Sequence, residues 1–464
     1  MRRHHQCLEH LCAVELEERA AHAVARVIDD EIRRIDGGEK RLDLRGIGSV
    51  AGDGAGLRLG GERIELADVA RGERDPHAGS GALARERCRE TAAGPDDERE
   101  LGTGLHYDGT AVLDKFTYVA MPTRVVFGAG AVSQLAAEVQ RLGAKRALLI
   151  STPGRAQMVR SLARDLQVAA LFDQAVMHTP IEAVEAARSM ASAVEADCCI
   201  AIGGGSTIGF GKAIALSSSL PVVAVPTTYS GSEMTTIWGI SEAGGKKVGR
   251  DPKVLPRAVI YDPQLTLDLP AGVSAASGMN AVAHCCEALY AHDGNPLVSL
   301  IAEEGVRAFG VALPIIVQAP RDLEARTAAL YGSWLAGLSI STTGNALHHK
   351  LCHVLGGFGL PHAETHSIVL PHAMAYNAAA APEAMRRIAR ALGANAGASS
   401  APRALWELEQ RLGLPMRLAD IGMKSADLER AARIAVQAPY PNPRPVEYEG
   451  VLELLHNAYE GRKP

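Results

Sequence analysis

Short apolar runs alternate with longer amphipathic stretches between residues 116 and 270 of the chain. The apolar runs predict strands, and the stretches with apolar residues three and four positions apart predict helices. We expect strands at 116–119, 124–127, 146–151, 169–172, 198–202 and 222–225, with helices over 157–166 and 181–195 and two others that end near residues 142 and 216. Strands that alternate with helices in this way indicate a mostly parallel α/β sheet.

The pattern changes near residue 270, after which one helical stretch follows another with little sign of strands. We therefore predict an α/β domain over 114–270, followed by an all-helical domain over 271–464.

The first 110 residues differ from the rest in composition. They hold 17 basic and 23 acidic residues, and of the chain's 19 aromatic residues only Tyr107 lies among them. A stretch over 8–35 could form one helix, but the segment has little apolar material from which to build a core. We interpret residues 1–113 as a poorly ordered N-terminal extension. The alternative is a small appended regulatory module.

The overall composition limits the possible partners. A formal net charge of -5 gives no electrostatic reason to expect nucleic acid or an anionic membrane as a partner. No apolar run approaches the ~18–20 residues that cross a bilayer, and no apolar region follows the N-terminus as in a signal peptide. The eight cysteines form no C-x-x-C motif, which favours buried free thiols over a disulfide framework or a zinc ribbon. We expect a cytoplasmic protein.

A glycine-rich turn follows the predicted strand at 198–202. Gly203-Gly204-Gly205-Ser206 opens a helix, where glycines let the backbone approach a pyrophosphate and free N–H groups point at the anion. The strand at 222–225 is likewise followed by hydroxyl-bearing residues, at positions 227–230. Since ligands bind at the carboxyl ends of parallel strands, we predict that this domain binds a dinucleotide. The candidate contacts are Gly203, Gly204, Gly205, Ser206, Thr227, Thr228, Ser230 and Lys212, whose positive charge we expect near the ligand.

Histidines are concentrated in the predicted helical domain. Asn280 and His284 lie four residues apart, so they share one face of a helix. Five of the chain's sixteen histidines lie between residues 349 and 372, namely His349, His353, His362, His366 and His372. Such a cluster indicates a metal site, acid–base chemistry or an anion site.

These motifs resemble those of the iron-containing alcohol dehydrogenases. The resemblance extends over residues 115–464 and rests on the segments 203–206, 226–228, 278–284, 352–357 and 361–362. It implies a nucleotide-binding α/β domain followed by a helical substrate-binding and catalytic domain. In metal-using members an aspartate and three histidines hold the ion, and the matching positions here are Asn280, His284, His353 and His362.

Asn280 departs from that pattern, because it replaces the only anionic ligand. Three neutral imidazoles and an amide bind a hard cation such as Fe²⁺ less strongly. Gly209 likewise stands where many metal-dependent relatives carry aspartate. Together with the segments 347–353, 361–366 and 442–445, these departures resemble the maleylacetate reductase branch. We therefore expect no metal cofactor.

The resemblance to this branch implies reduction of the carbon–carbon double bond of maleylacetate to 3-oxoadipate, late in the breakdown of aromatic compounds. Negative charge develops on the ketone oxygen, where imidazole donors can stabilise it, and a cationic, histidine-rich pocket suits a dicarboxylate substrate. In this scheme His353, His362 and His284 are catalytic. Four further residues contact the substrate, namely Asn280, His349, His366 and Arg444.

Other functions stay open. A metal-dependent alcohol dehydrogenase of the same superfamily is the nearest alternative, and a lyase similar to dehydroquinate synthase or a catalytically silent NAD-binding sensor are further ones. The strand at 146–151 is followed by Thr152-Pro153-Gly154-Arg155, which contains no acid to bind the ribose hydroxyls, and Arg155 could accommodate a 2′-phosphate. The choice between NADH and NADPH therefore stays open. We expect a homodimer.

Overall fold

The computed structural model describes residues 57–59, 62–64, 116–177, 179–242, 245–394 and 400–464. The chain divides into two compact units, Met1–Leu105 and His106–Pro464. In the first unit, strands β1 (Leu57–Leu59) and β2 (Glu62–Ile64) pair in antiparallel orientation. The helix expected over 8–35 lies outside the described residues, as does most of the segment interpreted as an extension. Among the described residues, no helix is long and apolar enough to cross a membrane.

The second unit begins with a six-stranded parallel sheet. Its strands are β3 (Arg124–Phe127), β4 (Ala147–Ile150), β5 (Val168–Phe172), β6 (Cys198–Gly203), β7 (Val222–Pro226) and β10 (Ala258–Tyr261). They lie in the order β3-β10-β7-β6-β4-β5. Every residue of β4, β6, β7 and β10 is buried, which explains why these strands are continuous apolar runs rather than alternating ones.

Helices alternate with these strands along the chain. They are α1 (Leu135–Arg141), α2 (Ala156–Leu162), α3 (Ile181–Ala193) and α4 (Gly205–Ser218), with short 3₁₀ helices at Ala131–Gln134, Ser232–Met234, Pro252–Val254 and Pro263–Thr266. An antiparallel hairpin of β8 (Ile237–Glu242) and β9 (Gly245–Arg250) is inserted before β10. Since β6 and β7 are neighbours in the sheet, their polar carboxyl ends lie side by side.

The rest of the unit is helical. The helices are α5 (Ala271–Ala288), α6 (Pro296–Gln318), α7 (Leu323–Thr342), α8 (Leu347–Gly356), α9 (His362–Asn377), α10 (Pro382–Ala391), α11 (Ser400–Arg411), α12 (Leu428–Ala435) and α13 (Tyr448–Glu460), with 3₁₀ turns at Leu418–Ile421 and Ser425–Asp427. Asn295 and Asp322 begin α6 and α7 by accepting hydrogen bonds from free backbone N–H groups. Helix α5 is almost entirely buried and packs against α6, α7 and α9, so its polar residues face other helices.

The predicted fold class is confirmed, because a parallel α/β region is followed by helices. The proposed domain boundary at 270/271 falls immediately before α5. The strand predicted at 116–119 is wrong. These residues form no strand, and Phe116 and Val119 are 52% and 64% exposed. The predicted strands also lack β10, although it is a buried apolar run, and the β8–β9 hairpin, in which β9 is rich in glycine and basic residues.

Candidate active site

The glycine-rich turn joins β6 to α4 at the carboxyl edge of the sheet. The backbone N–H of Thr227 donates to the carbonyl oxygen of Gly203 at 3.0 Å, which ties the tips of β6 and β7 together. A Cβ atom on Gly204 would lie 3.1 Å from the Thr228 side chain. Glycine therefore keeps open a cradle, formed by residues 203–206 and 227–228, in which a pyrophosphate can approach the backbone closely. Ser206 lies in the first turn of α4, at the same opening.

The loop after β7 extends from this cradle to the helical region. A Cβ atom on Gly205 would lie 3.2 Å from the Ser230 hydroxyl, which donates to Glu233 Oε2 at 3.2 Å. A Cβ atom on Gly231 would lie 3.4 Å from His284 Nδ1. The cradle and the histidine cluster are therefore adjacent in space, as hydride transfer between a nucleotide and a substrate held by imidazoles requires.

Lys212 has a different place from the one predicted. It is fully buried, and its Nζ donates to the carbonyl oxygens of Ser232 (2.5 Å) and Ile237 (2.9 Å) and to the Thr235 hydroxyl (2.9 Å). Burial lowers the pKa of Lys212 to about 7, against the opposing effect of Glu233. These protein acceptors use the hydrogen-bonding capacity of Nζ. The expectation of a charge beside the ligand is thus corrected, and Lys212 fastens the loop after β7 onto α4.

Six histidines from three helices meet in one cluster, including His348, whose ring centroid lies 5.0 Å from those of His349 and His366. His284 of α5 stacks on His349 of α8, with ring centroids 4.9 Å apart. His366 of α9 lies 5.0 Å from His349 and 4.3 Å from His362, also between centroids. His353, one turn after His349, lies 6.5 Å from it. The structure therefore brings together the histidines predicted to act in catalysis and those predicted to contact the substrate.

Burial divides this cluster into two parts. His284, His349 and His366 are at most 9% exposed, whereas His353 and His362 are exposed. Burial, followed by the charges of neighbouring imidazoles, lowers the pKa values of these three buried rings well below the usual value. These rings are therefore neutral at pH 7 and each retains a lone pair. The cationic character expected of the pocket is not found in its buried part.

Several polar atoms of the cluster have no hydrogen-bond partner. They are Asn280 Oδ1, His284 Nδ1, His349 Nε2 and both ring nitrogens of His366, all buried. Buried polar atoms are almost always paired, so a group of unpaired polar atoms in one cluster indicates that a ligand binds there. Asn280 lies one turn before His284 on α5, as its spacing predicted.

Arg444 lies away from the cluster. Its guanidinium carbon is 4.2 Å from the centroid of the Tyr376 ring, and with His372 it lines a separate cavity of about 270 Å³ near the C-terminus. Tyr376 follows His366 by ten residues on α9, which corresponds to ~15 Å along a helix. The prediction that Arg444 contacts the substrate beside the histidines is therefore corrected.

One acidic residue of the site is not evident from the sequence. Glu287, on α5, is 2% exposed, and it receives hydrogen bonds from the backbone N–H groups of Ala346 and His348 and from the ring of His349. Its spacing of three residues from His284 was the only signal in the sequence. That spacing alone does not distinguish a buried partner from a surface acid.

The donor atoms fit a metal ion. Two buried groups have ligand atoms within 4.8 Å of one another: Glu287, His348 and His349 form one, and His348, Cys352 and His366 the other. Imidazole nitrogens suit Fe²⁺ and Zn²⁺. In the first group Glu287 Oε2 and His349 Nδ1 hydrogen-bond to each other at 2.7 Å, so the free donors of this part of the cluster are His349 Nε2 and His284 Nδ1.

Two sequence families match this part of the chain. Residues 122–263 match the family described as iron-containing alcohol dehydrogenase, and residues 274–459 match the C-terminal region of the Fe-containing alcohol dehydrogenase family.

Individual proteins are similar over the same extent. A maleylacetate reductase from Burkholderia cepacia is 53% identical over 355 residues, which are 76% of this chain and 100% of that protein. The crystal structure of maleylacetate reductase from Agrobacterium tumefaciens is 46% identical, with a TM-score of 0.73, and covers 76% of this chain and 100% of its own. That of the enzyme from Rhizobium sp. strain MTP-10005 is 45% identical, with the same TM-score and coverage.

These matches show that the expectation of no metal cofactor is wrong. A family described as iron-containing implies iron or another metal ion, and the buried groups around His348 supply ligand atoms for one. The expectation depended on the loss of a carboxylate at Asn280. That expectation considered only the four positions that match the family's metal ligands. The structure adds His349 and His366, which lie beside the same pocket.

Proposed function

We propose that this chain, which belongs to the maleylacetate reductases of the iron-containing alcohol dehydrogenase family, reduces the carbon–carbon double bond of maleylacetate to give 3-oxoadipate. The observation that carries the proposal is that the loop after β7 leads from the cradle to the cluster of imidazoles, where a Cβ atom on Gly231 would lie 3.4 Å from His284 Nδ1. The identity to maleylacetate reductases over their full length supports the same activity.

The reaction consumes one maleylacetate, one reduced nicotinamide cofactor and one proton. When bound, NADH or NADPH supplies a hydride to the alkene carbon farther from the ketone. The alkene electron pair then moves toward the ketone oxygen, and a proton is taken up at the alkene carbon beside the ketone. The protein must therefore stabilise a developing negative charge at one atom and deliver a proton to another.

The exposed histidines are suited to the proton transfer. Because His353 and His362 lie on the accessible side of the cluster, they can contact the substrate and exchange protons with solvent. We assign hydrogen bonding to the ketone oxygen and proton delivery to this pair. His284 is buried beside the loop after β7, so we assign it to the buried side of the site.

The buried side chains would hold the metal ion. His284, His349 and His366 carry the unpaired ring nitrogens, and Asn280 adds an unpaired amide oxygen. When bound, the ion supplies Lewis-acid stabilisation of the negative charge on the ketone oxygen. Asn280 in place of an acid also removes a charge that would repel a dicarboxylate.

We further propose that both NADH and NADPH serve, since Thr152–Arg155 after β4 contains no acid to exclude a 2′-phosphate. We also propose a homodimer in the cytoplasm. Buried, unpaired thiols at Cys198, Cys285 and Cys352 are consistent with a reducing compartment.

Purified protein tests the proposal when NADH oxidation is followed with maleylacetate and, in parallel, with short-chain aldehydes. We expect fast oxidation with maleylacetate, slow oxidation with aldehydes, and 3-oxoadipate as the product by mass spectrometry. Faster turnover of aldehydes would instead support the alternative, a metal-dependent alcohol dehydrogenase.

A further inference from the structure

The carboxylate of Glu287 is saturated with hydrogen bonds. Oε1 accepts from the backbone N–H of His348 at 2.8 Å and from the Tyr290 hydroxyl at 3.3 Å. Oε2 accepts from the backbone N–H of Ala346 at 2.9 Å and from His349 Nδ1 at 2.7 Å. Burial raises the pKa of Glu287, whereas the nearby histidine and the N–H donors lower it. The two backbone N–H groups can only donate, and they reach one oxygen each, so hydrogen bonding on both oxygens favours the carboxylate form.

This arrangement determines the state of the His349 ring. A carboxylate can only accept, so the shared proton belongs to Nδ1 of His349. Nε2 then has no proton and presents a lone pair. That atom is buried and has no partner, and its ring stacks on His284 with centroids 4.9 Å apart.

We infer that Glu287 is a positioning residue of the active site. It holds His349 with the proton on Nδ1, which keeps Nε2 as a lone-pair donor toward the pocket. The same carboxylate accepts hydrogen bonds from two backbone N–H groups at the start of α8, Ala346 and His348. One buried acid on α5 thereby fixes both the start of α8 and the orientation of the imidazole one turn into it.

The general chemistry supports this assignment. A histidine that donates one ring nitrogen to a carboxylate has a fixed tautomer and a more basic second nitrogen, and loss of such a carboxylate commonly lowers metal affinity ~10–100-fold. The inference rests on the proposed function only in its catalytic consequence, because the tautomer and the metal affinity do not depend on the identity of the substrate.

The first test measures the tautomer of His349 in the unaltered protein. ¹⁵N NMR of the full-length protein labelled at histidine reports which ring nitrogen carries the proton, and the His349→Gln spectrum identifies the His349 signals. We expect neutral His349 to be protonated at Nδ1 between pH 7 and 8. Protonation at Nε2 would overturn the inference.

The second test compares two buried glutamates. Glu287→Gln removes the carboxylate with little change in volume, and Glu409→Gln is the matched control. Glu409 is 1% exposed on α11, burial raises its pKa, and its Oε1 has no partner, so its replacement removes no such interaction. We expect Zn²⁺ affinity, measured by competition with a chelator, to fall ~10–100-fold in Glu287→Gln and to stay within about twofold in Glu409→Gln.

A double-mutant cycle separates positioning from stability. In the His349→Ala background, Glu287→Gln should have no further effect on Zn²⁺ affinity or on kcat/KM. If Glu287 only stabilises the fold, Glu287→Gln and Glu409→Gln would both lower the urea midpoint, and Glu287→Gln would leave the Zn²⁺ affinity unchanged. That result would contradict the inference. If Glu287→Gln does not fold, the tautomer measurement decides. Absence of maleylacetate reduction by the unaltered protein would contradict the proposed function and leave these measurements unaffected.

Discussion

Two exposed imidazoles and four buried ones form the cluster, and exposure determines what each can do for a substrate. Of the buried rings, His284, His349 and His366 are neutral and short of partners, which suits them to hold a ligand in place. His353 and His362 are the accessible rings. Because replacing an exposed side chain leaves the core intact, their loss should affect chemistry much more than folding.

We expect His353→Ala and His362→Ala each to lower kcat/KM for maleylacetate about a hundredfold or more, since loss of a positioned acid or charge-stabilising donor costs ~10²–10³. The dissociation constant of NADH, measured by fluorescence titration, should change little, because the cradle is untouched. His372→Gln is the control, as His372 lines the separate cavity near the C-terminus. Near-normal turnover with weakened NADH binding would show that the chemistry lies elsewhere.

At the scale of single residues, sequence spacing predicted some positions and failed for others. Asn280 and His284 lie on one helix, so their four-residue spacing was sufficient to place them together. Glu287 lies on the same helix, but its role depends on the start of α8, which is about sixty residues away along the chain and which no local pattern reveals. Arg444 was misplaced for the same reason, because a short motif does not determine where its loop packs.

At the scale of elements, the site depends on the tips of β6 and β7 being neighbours. The Gly204 backbone has φ -82° and ψ -172°, which alanine also adopts, so substitution there adds a methyl group without backbone strain. That methyl group would lie 3.1 Å from Thr228 and would fill part of the cradle.

Gly204→Ala should therefore raise the KM for NADH roughly tenfold, equivalent to about 1.4 kcal/mol, with a smaller effect on kcat. Gly272→Ala is the matched control, because no atom lies within 4 Å of the added Cβ atom in the first turn of α5. It should leave both constants unchanged and stabilise the fold slightly. Equal KM values for NADH in the two variants would mean that the cradle does not bind the nucleotide.

Five of the six sheet strands were predictable because buried parallel strands are continuous apolar runs, whether or not their partners are known. Strand β10 was not predicted although it is such a run. The pairing of β6 with β7 and of β10 with β3 could not be predicted, because strand order depends on how crossover helices pack on the sheet. Lys212 illustrates the limit. Its position in α4 suggested a positive charge near the phosphate, but the loop after β7 and the start of β8 fold over it and accept hydrogen bonds from its Nζ.

At the scale of the whole molecule, the regions matched by the two families begin at residue 122, and the B. cepacia relative matches 355 residues along its entire length. The N-terminal segment is therefore absent from a complete relative. We expect a chain that starts at Asp114 to keep its urea midpoint and its kcat/KM for maleylacetate. Insolubility, or loss of most of the activity, would show that the segment belongs to the catalytic unit.

The central claim is that this pocket directs hydride to a carbon–carbon double bond rather than to a carbonyl group. The most direct test is to supply maleylacetate with NADH carrying deuterium at the transferred position and to examine the product by NMR. We predict 3-oxoadipate with its ketone intact and one deuterium on the carbon that was the alkene carbon farther from the ketone. A hydroxy acid with deuterium on the carbinol carbon would contradict the account.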